Sequence, residues 1–167
     1  APGSGAGLPA GPLSLAMRAR WLRLAMNVWP PFRGAGIRVG HIADDYRSIS
    51  VELRLGRLNR NYIGTHFGGS LYAMTDPFYM LMLIHLLGRD YVVSHAGARI
   101  DFLAPAHGTV HARFEISDAQ LEAIRTATAD GGKHRPEYAV EVKDAGGRVV
   151  ARVQHLLQVR RRQAAAA

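Results

Sequence analysis

Residues 70–87, SLYAMTDPFYMLMLIHLL, are apolar on nearly every side of a helix, and this segment limits the folds open to the chain. A membrane span needs about 20 predominantly apolar residues. Asp76, Pro77 and His85 interrupt this one, so no transmembrane segment is expected. A helix that is apolar all round must instead be wrapped by other elements. The rest of the chain supplies strands to do so. Ile49, Val51, Leu53 and Leu55 alternate with polar residues, as do Val110, Ala112, Phe114 and Ile116, and Tyr138, Val140 and Val142. That two-residue period marks half-buried strands. Further strands are expected at 37–43, at 91–103 with poorer alternation, and at 148–160 after a hairpin turn at Asp144-Ala145-Gly146-Gly147. A short helix fits 118–128, with Ser117 and Gln120 at capping-box spacing. The expected architecture is α+β, an antiparallel sheet of about six strands around one central apolar helix.

The ends are different. Residues 1–12 are small and uncharged, with neither the basic nor the apolar region of a secretory signal. They are expected to form a flexible arm, and 161–167 a flexible tail. A cytoplasmic location is expected. From Leu13 to Trp29 the period is helical: Met17, Trp21, Leu24 and Val28 share one face, Arg18, Arg20 and Arg23 supply charge, and Pro30-Pro31 stop the helix. This extra N-terminal helix is expected to pack its apolar face on its own domain. The alternative is a helix lying on a membrane surface. A single domain spanning 13–160 accommodates all of these elements.

Composition removes several chemistries. Cysteine is absent, so disulfides, thiolate metal sites and a cysteine nucleophile are excluded. Lys+Arg is 21 against 13 Asp+Glu, a formal charge of +8, and lysine occurs only at 133 and 143. Arginine forks suit phosphates and carboxylates. The excess serves either solubility or a polyanionic partner. No aromatic-interleaved or zinc-finger pattern accompanies it, so nucleic-acid binding has only charge in its favour. His107 and His111 share a strand face without a carboxylate to complete a metal site. His85 and Asp90 lie at an acyltransferase-like spacing with no supporting motif.

Asp76 is the most informative residue. A carboxylate within a buried apolar helix is costly unless it is paired or used. Burial would raise its pKa towards that of a useful base. Otherwise it is a structural acid held by an arginine or a backbone amide. Pro77 removes a helical hydrogen bond beside it, so a bend is expected there. Upstream, Gly68 and Gly69 enter the helix with bare amides that can hold a phosphate or a developing oxyanion. Amides at a helix start plus an acid two turns on are the two parts that acyl hydrolysis needs.

The pattern Asn61, Gly64-Thr65, Gly68-Gly69, six residues, Asp76, with Ile100-Asp101-Phe102-Leu103-Ala104-Pro105 downstream, resembles the hotdog-fold acyl-CoA thioesterases. The likeness is to their phenylacetate-pathway-type branch and to a related bacterial family labelled DUF4442, and covers roughly 37–160. The resemblance implies hydrolysis of acyl-CoA to a free acid and CoA. It implies Asp76 as general base or nucleophile, the Gly68 and Gly69 amides polarising the thioester carbonyl, and Asn61 orienting water or substrate. No cofactor is implied beyond CoA as part of the substrate, and no metal. The family's site lies between subunits, so a homodimer or homotetramer is expected. Many members carry His immediately before Gly-Gly. Here that slot is Phe67, and His66 lies one residue earlier. Arg57, Arg60, Arg89 and Arg99 are candidate contacts for CoA phosphates. The alternative function is a non-catalytic acyl-binding or structural hotdog protein.

Overall fold

A computed structural model of the chain describes residues 14–162. The arm expected at 1–12 lies outside them, as does the end of the tail. The element order is α1 (Leu15–Val28), α2 (Pro30–Ala35), β1 (Ile37–Ile42), β2 (Ser48–Arg54), α3 (Gly68–Ala73), α4 (Phe78–Leu87), β3 (Tyr91–Phe102), β4 (Thr109–Glu115), α5 (Asp118–Ala127), β5 (Lys133–His134), β6 (Glu137–Asp144) and β7 (Val149–Arg161). All strand pairs are antiparallel, in the order β1-β2-β4-β6-β7-β3, with the two-residue β5 beside β7. Six full strands therefore make the sheet, and its apolar face lies over α4. Phe78, Tyr79, Met82 and Leu83 of α4 pack with Phe114, Val140, Val142, Val153 and Leu157 in one core. Each such side chain contributes about 1.5–3 kcal/mol on burial. Ser117 and Gln120 form the capping box expected at the start of α5.

Several expectations change. The central helix is two helices. Pro77 cannot donate, and the amides of Thr75 and Asp76 both turn back to the carbonyl of Tyr72, at 2.8 and 3.1 Å. The helix closes there and restarts at Phe78, so the expected bend is a break and Asp76 sits in it. The prolines after α1 do not merely stop it: Pro30 and Pro31 open α2, where a missing N–H costs nothing. Strand β7 runs to Arg161, one residue beyond the expected 160. Arg160 and Arg161 pair with Val92 and Tyr91, and the amide of Arg162 donates to Asp90 O at 2.7 Å.

Helix α1 docks on β1 through Asn27, which donates to Val39 O (3.0 Å) and accepts from Val39 N (2.8 Å). Asn27 thus acts as a strand partner on that edge of the sheet. The buried residues of α1 are Ala19 and Met26. The stripe expected to pack inward, Met17, Trp21, Leu24 and Val28, points outward, each residue between 46% and 59% exposed. A helical turn of 100° per residue puts Met26 and Ala19 opposite that stripe, so α1 is apolar on two sides. At the other edge of the sheet, β3 pairs only with β7, and its 12 residues leave a long unpaired side among the described residues. No helix of the described residues is long and apolar enough to cross a membrane.

Candidate active site

Asp76 lies in the break between α3 and α4. Its side chain is 46% exposed, not buried in the single chain as the helix reading expected. One of its oxygens is anchored: Tyr72 Oη donates to Oδ1 at 2.8 Å, and His95 Nδ1 lies 3.4 Å from the same atom. Neither contact involves Oδ2. Burial first, and then the bond to Asp76, push the Tyr72 hydroxyl up to about 12, so it stays a donor.

Behind His95 stands His155, 99% buried on β7, with Nδ1 3.3 Å from His95 Nε2. Its Nε2 is 3.2 Å from Thr75 Oγ1, and that hydroxyl lies 2.8 Å from Tyr72 O. Burial, followed by the neighbouring His95, lowers His155 to about 4, with Asp76 opposing. The strands place this pair through a bulge. His95 is opposite Leu157 but Gly97 is opposite Leu156, so Ala96 is the extra residue. A bulge re-aims side chains and is frequent beside active sites.

The glycines lie at the other end of α3. Phe67 is the N-cap, and Gly68 and Gly69 are the first helical residues, as expected. Their close surroundings are aromatic. A Cβ on Gly68 would come within 2.9 Å of the Phe102 ring, and one on Gly69 would run into the Phe67 ring. Larger residues are excluded at both positions unless these rings move. Gly68, Asn61, Thr65, Phe102 and Leu103 line a shallow pocket of about 420 Å³. Asp76 does not line it. Gly68 opens α3 and Asp76 lies in the break beyond its other end. The structure therefore brings Asn61 and Gly68 together and leaves Asp76 apart from them.

Asn61 is fully occupied. Its Nδ2 donates to Thr65 Oγ1 (2.8 Å) and His66 O (3.1 Å), and its Oδ1 accepts from Ile63 N (3.1 Å) and Thr65 N (3.0 Å). An amide has four hydrogen-bonding positions in all, so none is left here for a water or a substrate. His66 faces inward. It is buried, with Nε2 donating to Gly108 O at 2.7 Å and Nδ1 without a partner. Burial holds its pKa below the ordinary value, and His66 ties the 61–67 loop to the turn before β4. Of the candidate arginines, Arg57, Arg60 and Arg89 are exposed, and Arg99 pairs with Asp101 at 3.1 Å. Among the described residues no cluster of His, Asp and Glu has the arrangement of a metal site. His85 is stacked on Tyr46, with ring centroids 3.9 Å apart.

The sequence profile of the family described as "Domain of unknown function (DUF4442)" matches residues 18–159. The chain belongs to the DUF4442 family. Comparison with curated proteins gives no match. Solved structures do match this DUF4442 chain. The Pseudomonas aeruginosa protein PA5026, named "Probable Thioesterase", superposes with a TM-score of 0.75 at 18% identity, covering 86% of this chain and 95% of the other. Thioesterase HI1161 of Haemophilus influenzae gives 0.62 at 13% identity, over 94% and 97%. The E. coli PaaI protein from the phenylacetic acid degradation operon gives 0.60 at 17%, over 90% and 97%. At these identities the likeness is one of fold, and the fold of this DUF4442 chain is the hotdog fold.

His95 and His155 did not emerge from the sequence reading as a pair. They are 60 residues apart on neighbouring strands. The only signal available was the presence of a histidine at a position of β7 that the two-residue period assigns to the core.

Proposed function

We propose that this protein hydrolyses acyl-CoA thioesters to the free acid and CoA. The observation that carries the reading is the Asp76 carboxylate, with Oδ1 held by the Tyr72 hydroxyl and facing His95 Nδ1 at 3.4 Å while the half-exposed side chain keeps Oδ2 clear of both. A carboxylate so held is a positioned base for water, or a nucleophile, at Oδ2. The Gly68 and Gly69 amides are the oxyanion donors. Asn61 acts as the brace of the loop that presents them. CoA enters as part of the substrate, and the exposed Arg57, Arg60 and Arg89 are available to its phosphates.

One chain does not complete this site. A thioester carbonyl must lie about 3 Å from its donors and within reach of the base's water, and Gly68 and Asp76 stand at opposite ends of α3, with Asp76 outside the pocket that Gly68 lines. The reading therefore needs Asp76 of one chain and the glycines of another. Two observations support such an assembly. The long edge of β3 is open to pairing. The apolar side chains of Leu58, Tyr62, Ile63, Phe67, Phe102 and Leu103 are 51% or more exposed around the glycine end, as expected of surfaces covered by a partner. We infer a homodimer or homotetramer.

Turnover of a panel of acyl-CoAs, followed by release of free thiol, tests the activity; light scattering tests the assembly. Hydrolysis of at least one chain-length class is expected, together with a mass at least twice 18.2 kDa. A monomer at micromolar concentration that still turns over substrate would sink the shared site. One observation favours a second reading, an acyl-binding protein without turnover. Phe67 occupies the slot before the glycines, and its ring lies over Gly69. Tight acyl-CoA binding with no thiol release across the panel is its signature.

A further inference from the structure

Helix α1 carries an apolar stripe that none of the described residues covers. Met17, Trp21, Leu24 and Val28 lie on its outward side, with Leu15 and Trp29 at the two ends of the helix, all at least 46% exposed. The stripe cannot roll inward. Asn27 makes two hydrogen bonds to Val39, and Arg23 Nη1 donates to Gly40 O at 3.0 Å. These bonds clamp α1 to the β1 edge with Ala19 and Met26 inside. The charges beside the stripe have one sign. Residues 15–28 hold Arg18, Arg20 and Arg23 and no Asp or Glu. Arg20 stands one helical turn from Leu24 on one flank, and Arg18 one turn from Trp21 on the other. Both arginines are exposed, and Arg33 adds a further exposed cation from α2. Met17, Trp21 and Leu24 line an open hollow of about 560 Å³ together with Arg20 and Arg23. An exposed apolar patch with a charged rim marks a contact with a protein or a membrane.

We propose that α1 lies flat on an anionic lipid bilayer, with its outward stripe sunk among the headgroups and its flanking arginines on the lipid phosphates. This goes beyond hydrolysis and does not depend on it. The stripe is a convex ridge, and a bilayer accepts a ridge without a preformed groove. An indole sits well at headgroup level, apolar on its faces and polar at its N–H. Arginine stems lie along apolar surface while their guanidinium heads reach outward, where each can grip a phosphate with two bonds. An anionic surface also attracts the chain's formal charge of +8. A second copy is a worse occupant. A two-fold contact through this face sets the three arginines of one α1 against the same three of the other, with no acid from either helix between them. The shared site draws on β3, at the opposite edge of the sheet from β1, so its assembly does not call on α1. Residues 1–13 are a worse occupant too. They hold only Leu8 and Leu13 as large apolar side chains, against the six left exposed on and beside α1. Docked this way, the β1 edge faces the bilayer and the β3 edge faces away.

Flotation of the full chain with lipid vesicles tests the docking without any turnover. The vesicles are pure phosphatidylcholine in one arm and an equal mixture of phosphatidylcholine and phosphatidylglycerol in the other. The chain should float with the mixed vesicles and stay behind with the neutral ones, and added salt should weaken the binding. Tryptophan emission should shift to the blue with the mixed vesicles only, because Trp21 and Trp29 are the two indoles of the chain. Arg20→Glu changes the charge at the flank by two units and should weaken binding by about 25-fold, about fivefold for each unit. Leu24→Ser combined with Val28→Ser should weaken it by about tenfold or more through lost apolar burial, with an unchanged mass by light scattering. Flotation that is absent, equal with neutral vesicles, or undiminished in the serine variant overturns the proposal. A smaller mass for the serine variant also overturns it, because the stripe is then a subunit contact. Emission already blue without vesicles does the same, since the stripe is then covered within the chain. If the serine variant does not fold, Arg20→Glu at its exposed position decides by the same flotation.

Discussion

Asp76→Asn abolishes most acyl-CoA hydrolysis, by about 10²–10⁴-fold in kcat, the usual cost of losing a general base. The amide keeps an oxygen for the Tyr72 hydroxyl to hold and replaces Oδ2, the atom that takes water's proton, with an NH₂. KM should change little, because the carboxylate acts in the transition state more than in binding. Stability should hardly move, since the side chain is 46% exposed and no deeply buried charge is removed. Steady-state kinetics and a urea melt read both quantities. A variant that hydrolyses every acyl-CoA at the wild-type rate removes Asp76 from the mechanism. An insoluble variant makes it a structural acid of the helix break.

The second large effect is acid sensitivity well above the carboxylate range. His155 is pushed down to about 4, and burial holds His66 below its ordinary value as well. In each, burial disfavours the charged form in the folded chain. The unfolded chain therefore binds protons first as the pH falls. The stability from keeping these rings neutral is complete above the ordinary value of 6.5 and is lost on the way down, for His155 until about 4. Each fully depressed histidine removes about 1.4 kcal/mol per pH unit inside its window, so His155 alone accounts for about 3 kcal/mol of a total stability of about 5–15 kcal/mol. Between pH about 6.5 and 5 the carboxylates remain largely ionised, so a drop in the urea midpoint there belongs to histidine. A midpoint that is flat across that interval would show that the buried rings are not held neutral. His155→Phe should flatten the curve in part, leaving the share of His66.

The strands were legible because each exposes one face: β2, β4, β6 and β7 alternate along their lengths, and the period alone locates them. The capping box of α5 was equally local. The rest was less legible, each part for its own reason. Strand β3 alternates poorly because the bulge at Ala96 shifts its parity halfway, and a shift of one residue exchanges the two faces. The outward stripe of α1 has the period of a buried face, but Asn27 bonds to Val39 and turns Ala19 and Met26 inward instead. Periodicity gives a stripe and not its direction. At the site, Asp76 and the glycines announced themselves by type and spacing. The exposure of the carboxylate did not, because it follows from two amides sharing the Tyr72 carbonyl at the break. His95 and His155 are neighbours only through sheet register, which no local pattern encodes.

The outer face of α1 also governs how this protein can be watched. Its two tryptophans, Trp21 and Trp29, are 59% and 49% exposed, and both lie on or at the end of that helix. Indole emission depends on how wet the ring is. In the single folded chain both rings already meet water, so unfolding changes their surroundings little, and fluorescence is a poor gauge of melting here. The far-ultraviolet circular dichroism of the sheet is the better one. The same wetness makes the two indoles a sensitive optical label for whatever dries that helix, whether another subunit, an acyl chain or a lipid surface, with no dye attached and no residue replaced.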